Sequence, residues 1–257
     1  MIYLNNYGWN DKLHQLKQES TYNSLTHGRI SIVHRTCYEV VSENGLFQCE
    51  LTGNMMYGKS DFELPCTGDW VLFQPFDEHK GIIVDMLPRE RTLYRKKNGT
   101  VADKQAIASY VDKAFIVQSL DDNFNVRRAE RFMIQMQEEN ISPVLVFNKA
   151  DLGFDRQKVE KQIRHIARQI PVFFTSIHQP QTILQLREFI SAGETVVFVG
   201  SSGVGKSSLV NALCGESVLL TSDISLSTGK GRHTSTRREM VLMDGSGVLI
   251  DTPGVRE

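Results

Sequence analysis

Residues 195–213 read TVVFVGSSGVGKSSLVNAL, and this stretch decides the fold. Its first five residues form an unbroken β-branched and aromatic run, the pattern of a strand buried on both faces. Its last seven, from Ser207 to Leu213, read as a helix. Between them, Gly200-Ser201-Ser202-Gly203-Val204-Gly205-Lys206-Ser207 fits G-x-x-x-x-G-K-[ST]. Strand, glycine loop and helix in that order is what a phosphate cradle needs. The glycines let backbone N–H groups turn toward phosphate oxygens, and the helix N-terminus adds its positive dipole end. Lys206 then reaches the β- and γ-phosphates, and the Ser207 hydroxyl binds Mg²⁺. Ser201, Ser202, Val204 and Ser208 complete the lining of the cradle. A glycine-rich turn without a ligand is the bland alternative, and the flanking strand and helix weigh against it.

Working outward, the chain from 111 onward alternates strands and helices. Strands are expected at 114–120, 143–147, 171–175, 195–199, 239–243 and 247–250. Helices are expected at 126–140, 156–168, 183–190 and 207–213. This alternation predicts a mostly parallel α/β sheet covered by helices on both faces. Asn148-Lys149-Ala150-Asp151 follows the strand ending at Phe147, at a carboxyl end where ligands bind in such sheets. It matches N-K-x-D, the guanine-reading motif of GTPases. The Asp151 carboxylate can accept from the N1–H and from the exocyclic amine of guanine, whereas adenine offers neither donor there. A mismatch leaves a carboxylate unpaired.

Thr175-Ser176-Ile177 ends the next strand, where GTPases carry an S-A-K-like turn that supports the base. Ile177 departs from that pattern, and a plain strand-ending turn is the alternative. Asp251-Thr252-Pro253-Gly254 ends the last strand as D-x-x-G. There Asp251 would hold Mg²⁺ through water, and the Gly254 N–H would sense the γ-phosphate. The polar, basic run from Thr228 to Arg238 lies where a first switch loop must be. Thr234 and Thr236 both qualify as its Mg²⁺-binding hydroxyl, and the sequence does not choose between them. The motif order is permuted. Ordinary GTPases run phosphate loop, switch loop, D-x-x-G, N-K-x-D, S-A-K, whereas here N-K-x-D and T-S come first. The sheet can nonetheless be the same, because a domain's ends often lie close together.

Upstream, residues 26–90 read as strands, with Asn44-Gly45 as a hairpin turn. Further strands are expected at 68–73 and 81–87, with one more around 61–64. About five short strands suit an OB-like barrel, a fold that often binds oligonucleotides. Residues 1–25 hold a short helix, with Trp9, Leu13 and Leu16 at helical spacing. Residues 91–110 read as a basic linker; Arg89, Arg91, Arg95, Lys96 and Lys97 concentrate charge in and just before it. The expected organisation is therefore a helical segment at 1–25, a barrel at 26–90, a linker at 91–110 and a permuted GTPase domain at 111–257.

Composition removes other classes. With 29 basic and 30 acidic residues, the chain is not a globally basic nucleic-acid binder, though local basic patches remain open. No run approaches the ~20 apolar residues of a membrane span, and no signal peptide begins the chain. Cys37, Cys49, Cys66 and Cys214 lie far apart and read as reduced cytosolic thiols.

A barrel followed by a permuted GTPase with G-x-x-G-x-G-K-S, Gly229-Lys230-Gly231-Arg232-His233-Thr234 and D-T-P-G resembles the RsgA (YjeQ) family, with Tyr7-Gly8-Trp9 also similar. These are small-ribosomal-subunit-dependent GTPases of bacteria. The resemblance implies GTP and GDP as ligands, with Mg²⁺, and late maturation of the small (30S) subunit as the role. It also implies rRNA contact by the barrel and basic segments, slow intrinsic hydrolysis stimulated by the ribosome, and a cytoplasmic monomer. The family continues past D-T-P-G into a zinc-binding segment, whereas this sequence ends at Glu257, three residues after D-x-x-G, which reads as a truncation. Val255 stands where Ras-like enzymes place the water-orienting Gln, and His233 is the candidate replacement, with contact to RNA phosphate as its alternative role. Two other readings stand beside the GTPase: a small-molecule kinase, which has no use for N-K-A-D, and a non-catalytic RNA-binding module that holds GTP structurally.

Overall fold

The computed structural model describes residues 1–96, 104–121, 124–168, 170–215, 238–245 and 247–252. In its C-terminal half, six strands form a sheet in the order β10-β9-β8-β11-β13-β12. They are β8 (Lys113–Ser119), β9 (Ser142–Asn148), β10 (Val172–Phe174), β11 (Thr195–Val199), β12 (Glu239–Leu242) and β13 (Val248–Asp251). Five run parallel, and β12 pairs antiparallel to β13. Every residue of β11 is buried. Val197 and Val199 face a cluster with α3 (Val126–Glu138) and α4 (Arg156–Ala167). Val196 and Phe198 face a cluster with α5 (Pro180–Glu188) and α6 (Lys206–Cys214). The two-sided apolar run thus exists because helices cover both faces, and each such buried side chain contributes about 1.5–3 kcal/mol.

The N-terminal half folds as a small closed barrel of β1 (Thr26–Val33), β2 (Tyr38–Ser42), β3 (Gly45–Leu51), β4 (Trp70–Asp77) and β5 (Lys80–Met86). Its order is β1-β2-β3-β5-β4, and β1 pairs with β4 to close it, the connectivity of an OB-like barrel. Ile30, Val40, Phe47, Cys49, Val71, Phe73 and Ile83 fill the interior. The helix α1 (Asp11–Glu19) is capped by Asn10, and it packs with Leu4 and Leu13 outside the barrel against Trp70 and Leu72.

Two expectations differ from what is observed. Residues 61–64 form a turn, next to the single helical turn α2 (Gly53–Met56), and not a strand. Local bonding explains this: Glu63 Oε2 accepts from both the backbone N–H and the hydroxyl of Ser60, and the Glu63 N–H bonds back to Ser60. The expected linker carries a hairpin, β6 (Leu93–Lys96) with β7 (Lys104–Ala108). Leu93, Tyr94, Ile107 and Ala108, interleaved with its charges, are buried. Of that charge run, Arg89 turns inward, pairing with Asp69 at 2.6 Å.

A strand pairing joins the halves. Ile32 of β1 pairs with Glu239 of β12, so barrel and nucleotide sheet are hydrogen-bonded as one eleven-stranded sheet. No helix among the described residues is long and apolar enough to cross a membrane.

Candidate nucleotide site

The chain leaves β8 and returns in β9 on one side, while β11 and β13 lie on the other, so the strand order reverses between β8 and β11. The crevice outside the carboxyl ends at such a reversal is where ligands bind in open α/β sheets. The 200–205 loop sits there. Gly200 has φ +147°, and a Cβ on it would meet the Val117 carbonyl at 2.4 Å. Gly205 has φ +94°, and a Cβ there would meet Asn148 Nδ2 at 2.3 Å. Any other residue at either position would strain the backbone and collide. Like α5, and unlike α1, α3 and α4, α6 starts with no side-chain cap, here from Gly205. Its first N–H groups are therefore not engaged by a capping side chain, as anion binding requires.

Lys206 is buried, and its ammonium donates to the carbonyls of Gly200 and Ser201, each at 3.1 Å. Burial pushes its pKa down, and the nearby Asp251 carboxylate opposes this. Ser207 Oγ donates to Asp251 Oδ2 at 2.5 Å. Burial pushes the Asp251 carboxyl above its ordinary value of 3.8, and its Oδ1 is buried with no hydrogen-bond partner among the described residues. A hydroxyl beside a carboxylate with one unused, buried oxygen is a hard-oxygen donor pair of the kind Mg²⁺ takes together with phosphate oxygens. The residues fit that ion.

The N-K-A-D stretch is locked to the same loop. Asn148, at the end of β9, donates through Nδ2 to the Val204 carbonyl at 2.9 Å and accepts from Thr175 Oγ1 at 3.3 Å. The Ala150 N–H bonds the Thr175 carbonyl at 3.0 Å, so the 148–151 and 175–176 turns are stitched side by side. The Asp151 side chain is exposed, and a hydrogen bond from Ser176 lowers its pKa, holding it as an acceptor-only carboxylate. Ser202 and Gly203 are exposed at the loop tip, Ser201, Ser207 and Ser208 are half-buried, and Val204 is buried beneath.

Sequence reasoning missed three supports. Asp121, just past β8, accepts from Lys149 Nζ at 2.9 Å and from Ser119 Oγ at 2.6 Å. Thr182 accepts from the Ser176 N–H at 3.1 Å, fixing that turn. Thr252 Oγ1 donates to the Phe198 carbonyl at 2.6 Å, tying the D-x-x-G strand to β11. Asp121 could have been found by the rule that carboxyl ends of strands beside the reversal carry function. The expected roles of His233, Thr234, Thr236, Gly254 and Val255 lie outside the described residues.

The model of the family described as RsgA GTPase matches residues 86–257. The chain belongs to the RsgA GTPase family. It is 78% identical over 251 residues to a Bacteroides thetaiotaomicron protein named small ribosomal subunit biogenesis GTPase RsgA 1, covering 98% of this chain and 71% of that one. It is 39% identical over 253 residues to the RsgA of Methanosarcina acetivorans, covering 97% of this chain and 67% of that one. Two solved structures share the fold of this RsgA-family chain. YjeQ from Thermotoga maritima matches at TM-score 0.63 and 24% identity, over 89% of this chain and 74% of that one. YloQ, described as a circularly permuted GTPase, matches at TM-score 0.61 and 23% identity, over 93% of this chain and 75% of that one.

Proposed function

We propose that this chain binds GTP between the 200–208 loop and the 148–151 turn, hydrolyses it to GDP and phosphate, and uses the cycle in maturation of the small ribosomal subunit. The observation that supports it most is the Ser207–Asp251 pair at 2.5 Å beside buried Lys206, on the loop that Asn148 clamps at Val204. Asp151 reads guanine by accepting two hydrogen bonds, and the turn at Thr175 and Ser176 holds it in place. Backbone N–H groups of 200–208 and the start of α6 bind the phosphates. On nucleotide binding, the Lys206 ammonium exchanges its two carbonyl partners for phosphate oxygens. This places a positive charge where negative charge develops as the bond to the γ-phosphate lengthens. Ser207 and Asp251 hold Mg²⁺, joined by Thr234 or Thr236 from the switch segment; the ion neutralises charge on the phosphate oxygens when bound. His233 orients the attacking water, since Val255 has no hydrogen-bonding group, and Gly254 senses the γ-phosphate.

The relatives' names bring the small ribosomal subunit as partner. The OB-like barrel and the basic stretch that follows Arg89 are the parts we assign to rRNA contact, in a cytoplasmic monomer; Arg89 itself is turned inward onto Asp69. GTP turnover by the whole chain, with and without purified small subunits, tests the reading. Turnover should climb with subunit concentration to a plateau. Turnover that stays undetectable with saturating subunits would favour instead a module that holds GTP structurally.

A further inference from the structure

Strand β1 belongs to both halves of the molecule. Its first residues, Thr26 to Arg29, pair with β4 and close the barrel. Its register on β2 then shifts between Ile30 and Ile32, and Ile32 pairs with Glu239 of β12. Glu239 in turn pairs with Asp251 of β13, and Asp251 pairs with Phe198 of β11. Ile32, Glu239 and Asp251 therefore form one row across three strands. At about 4.8 Å per strand, the barrel backbone lies roughly 10 Å from the backbone of the magnesium carboxylate.

A second link runs from the same strand. Arg29 is 1% exposed, and its guanidinium gathers four chain segments. It donates to the Gly68 carbonyl at 2.9 Å, to the Tyr7 carbonyl, to the Ser109 carbonyl at 3.5 Å, and to Thr195 Oγ1 at 2.9 Å. Thr195 begins β11, whose other end is the phosphate loop. The Thr195 N–H is fixed on Asp112 at 2.8 Å, and Asp112 pairs with Arg91 at 3.1 Å. The junction is not packed solid. A cavity of about 440 Å³ lies beside Arg29, lined by Trp9, Glu90, Arg91, Asp112 and Glu194. The Arg29 hydrogen bonds thus tie β1 directly to the start of β11 across this junction. A buried guanidinium is tolerated only while its acceptors stay in place, so displacing one of the four segments weakens the hold on the others.

We propose that Arg29 is a positioning residue that couples the barrel to the nucleotide site, through Thr195 at the root of the phosphate-loop strand and in parallel with the Ile32–Glu239–Asp251 row. The inference rests on the nucleotide reading above and adds to it the route by which barrel and nucleotide sense each other. Coupling of this kind is reciprocal, so it can be read from either end.

Hydrogen exchange of the whole chain, with Mg²⁺ and with or without GTP, tests it, using three chains: unaltered, Thr195→Val and Thr195→Ser. In the unaltered chain, GTP should slow exchange in the peptide covering β1 by about fivefold or more. Thr195→Val keeps the β-branched shape but lacks the hydroxyl, and the slowing at β1 should fall below about twofold while the slowing at 200–208 persists. Thr195→Ser restores the hydroxyl and should restore the coupling, which a purely steric role for Thr195 would not do. Arg29→Lys, which cannot span the four acceptors, should repeat the Val result. The inference is overturned if β1 ignores GTP in the unaltered chain, or if Thr195→Val responds as the unaltered chain does. Absence of slowing at 200–208 in the unaltered chain would instead overturn the nucleotide reading, and the inference with it.

Discussion

The two ends of strand β11 are built differently. At the carboxyl end, Asp251 has a buried oxygen with no partner among the described residues, Lys206 rests on two carbonyls of its own loop, and α6 opens without a side-chain cap. At the amino end, Arg29 has four acceptors, Asp112 holds both Arg91 and the Thr195 N–H, and Lys113 pairs with Glu194 at 2.7 Å. Among the described residues, a charged group is left short of a partner at one end, while the charged groups at the other are paired. Buried charge without full partners costs stability, so it is found where a ligand completes it. The closed end holds the scaffold; the open end is the one we assign to phosphate and metal.

The largest effect should follow from removing the cation at the open end. Lys206→Ala should lower single-turnover GTP hydrolysis by about a hundred- to thousandfold, measured by phosphate release. Next is the base contact. Asp151→Asn should weaken GTP binding by about ten- to hundredfold, from ~1.5–3 kcal/mol for hydrogen bonds to a charged group. Xanthosine nucleotides should then bind in its place, because the amide donates where the xanthine O2 accepts. Equilibrium binding of both nucleotides checks this.

Asp251→Asn should sharpen the contrast, because function and stability move in opposite directions. Burial raises the Asp251 pKa in the folded chain above its unfolded value. Its stabilising contribution is therefore full below the unfolded value of 3.8 and is lost as pH rises through the raised one. At neutral pH the unliganded protein bears the cost of the buried charge. The variant should raise the Tm of the unliganded chain at about pH 7.5. It should also abolish the Mg²⁺ dependence of GTP binding, and the Tm difference should shrink on acidification. The smallest effect belongs to the closed end. Lys113→Met should cost about 1 kcal/mol of stability in denaturant unfolding and leave GTP affinity unchanged. A large loss of GTP affinity there would break the distinction between the ends.

What was legible in the sequence was local. The phosphate loop, its strand and its helix are contiguous residues with fixed conformational demands, so Gly200, Gly205, Lys206 and Ser207 stand out in the sequence alone. N-K-A-D was legible for the same reason, and the alternation after residue 111 gave the two-sided sheet. Pairings between distant residues left no signal. Arg29 and Thr195 are 166 positions apart, and nothing in either's neighbourhood announces the other. Nor does Asp121 announce Lys149. The hairpin at 93–108 was hidden because its charges mask an interleaved apolar set that is buried only once the halves meet. The turn at 61–64 looked like a strand because composition does not reveal that Glu63 closes on Ser60.

The most direct test is nucleotide selectivity at the open end. A fluorescent GDP analogue is bound to the whole chain with Mg²⁺ and displaced by GTP, GDP or ATP. The account predicts full displacement by GTP and GDP, and little by ATP even at about a hundredfold excess, given Asp151's donor–acceptor match to guanine. Equal displacement by ATP would contradict it.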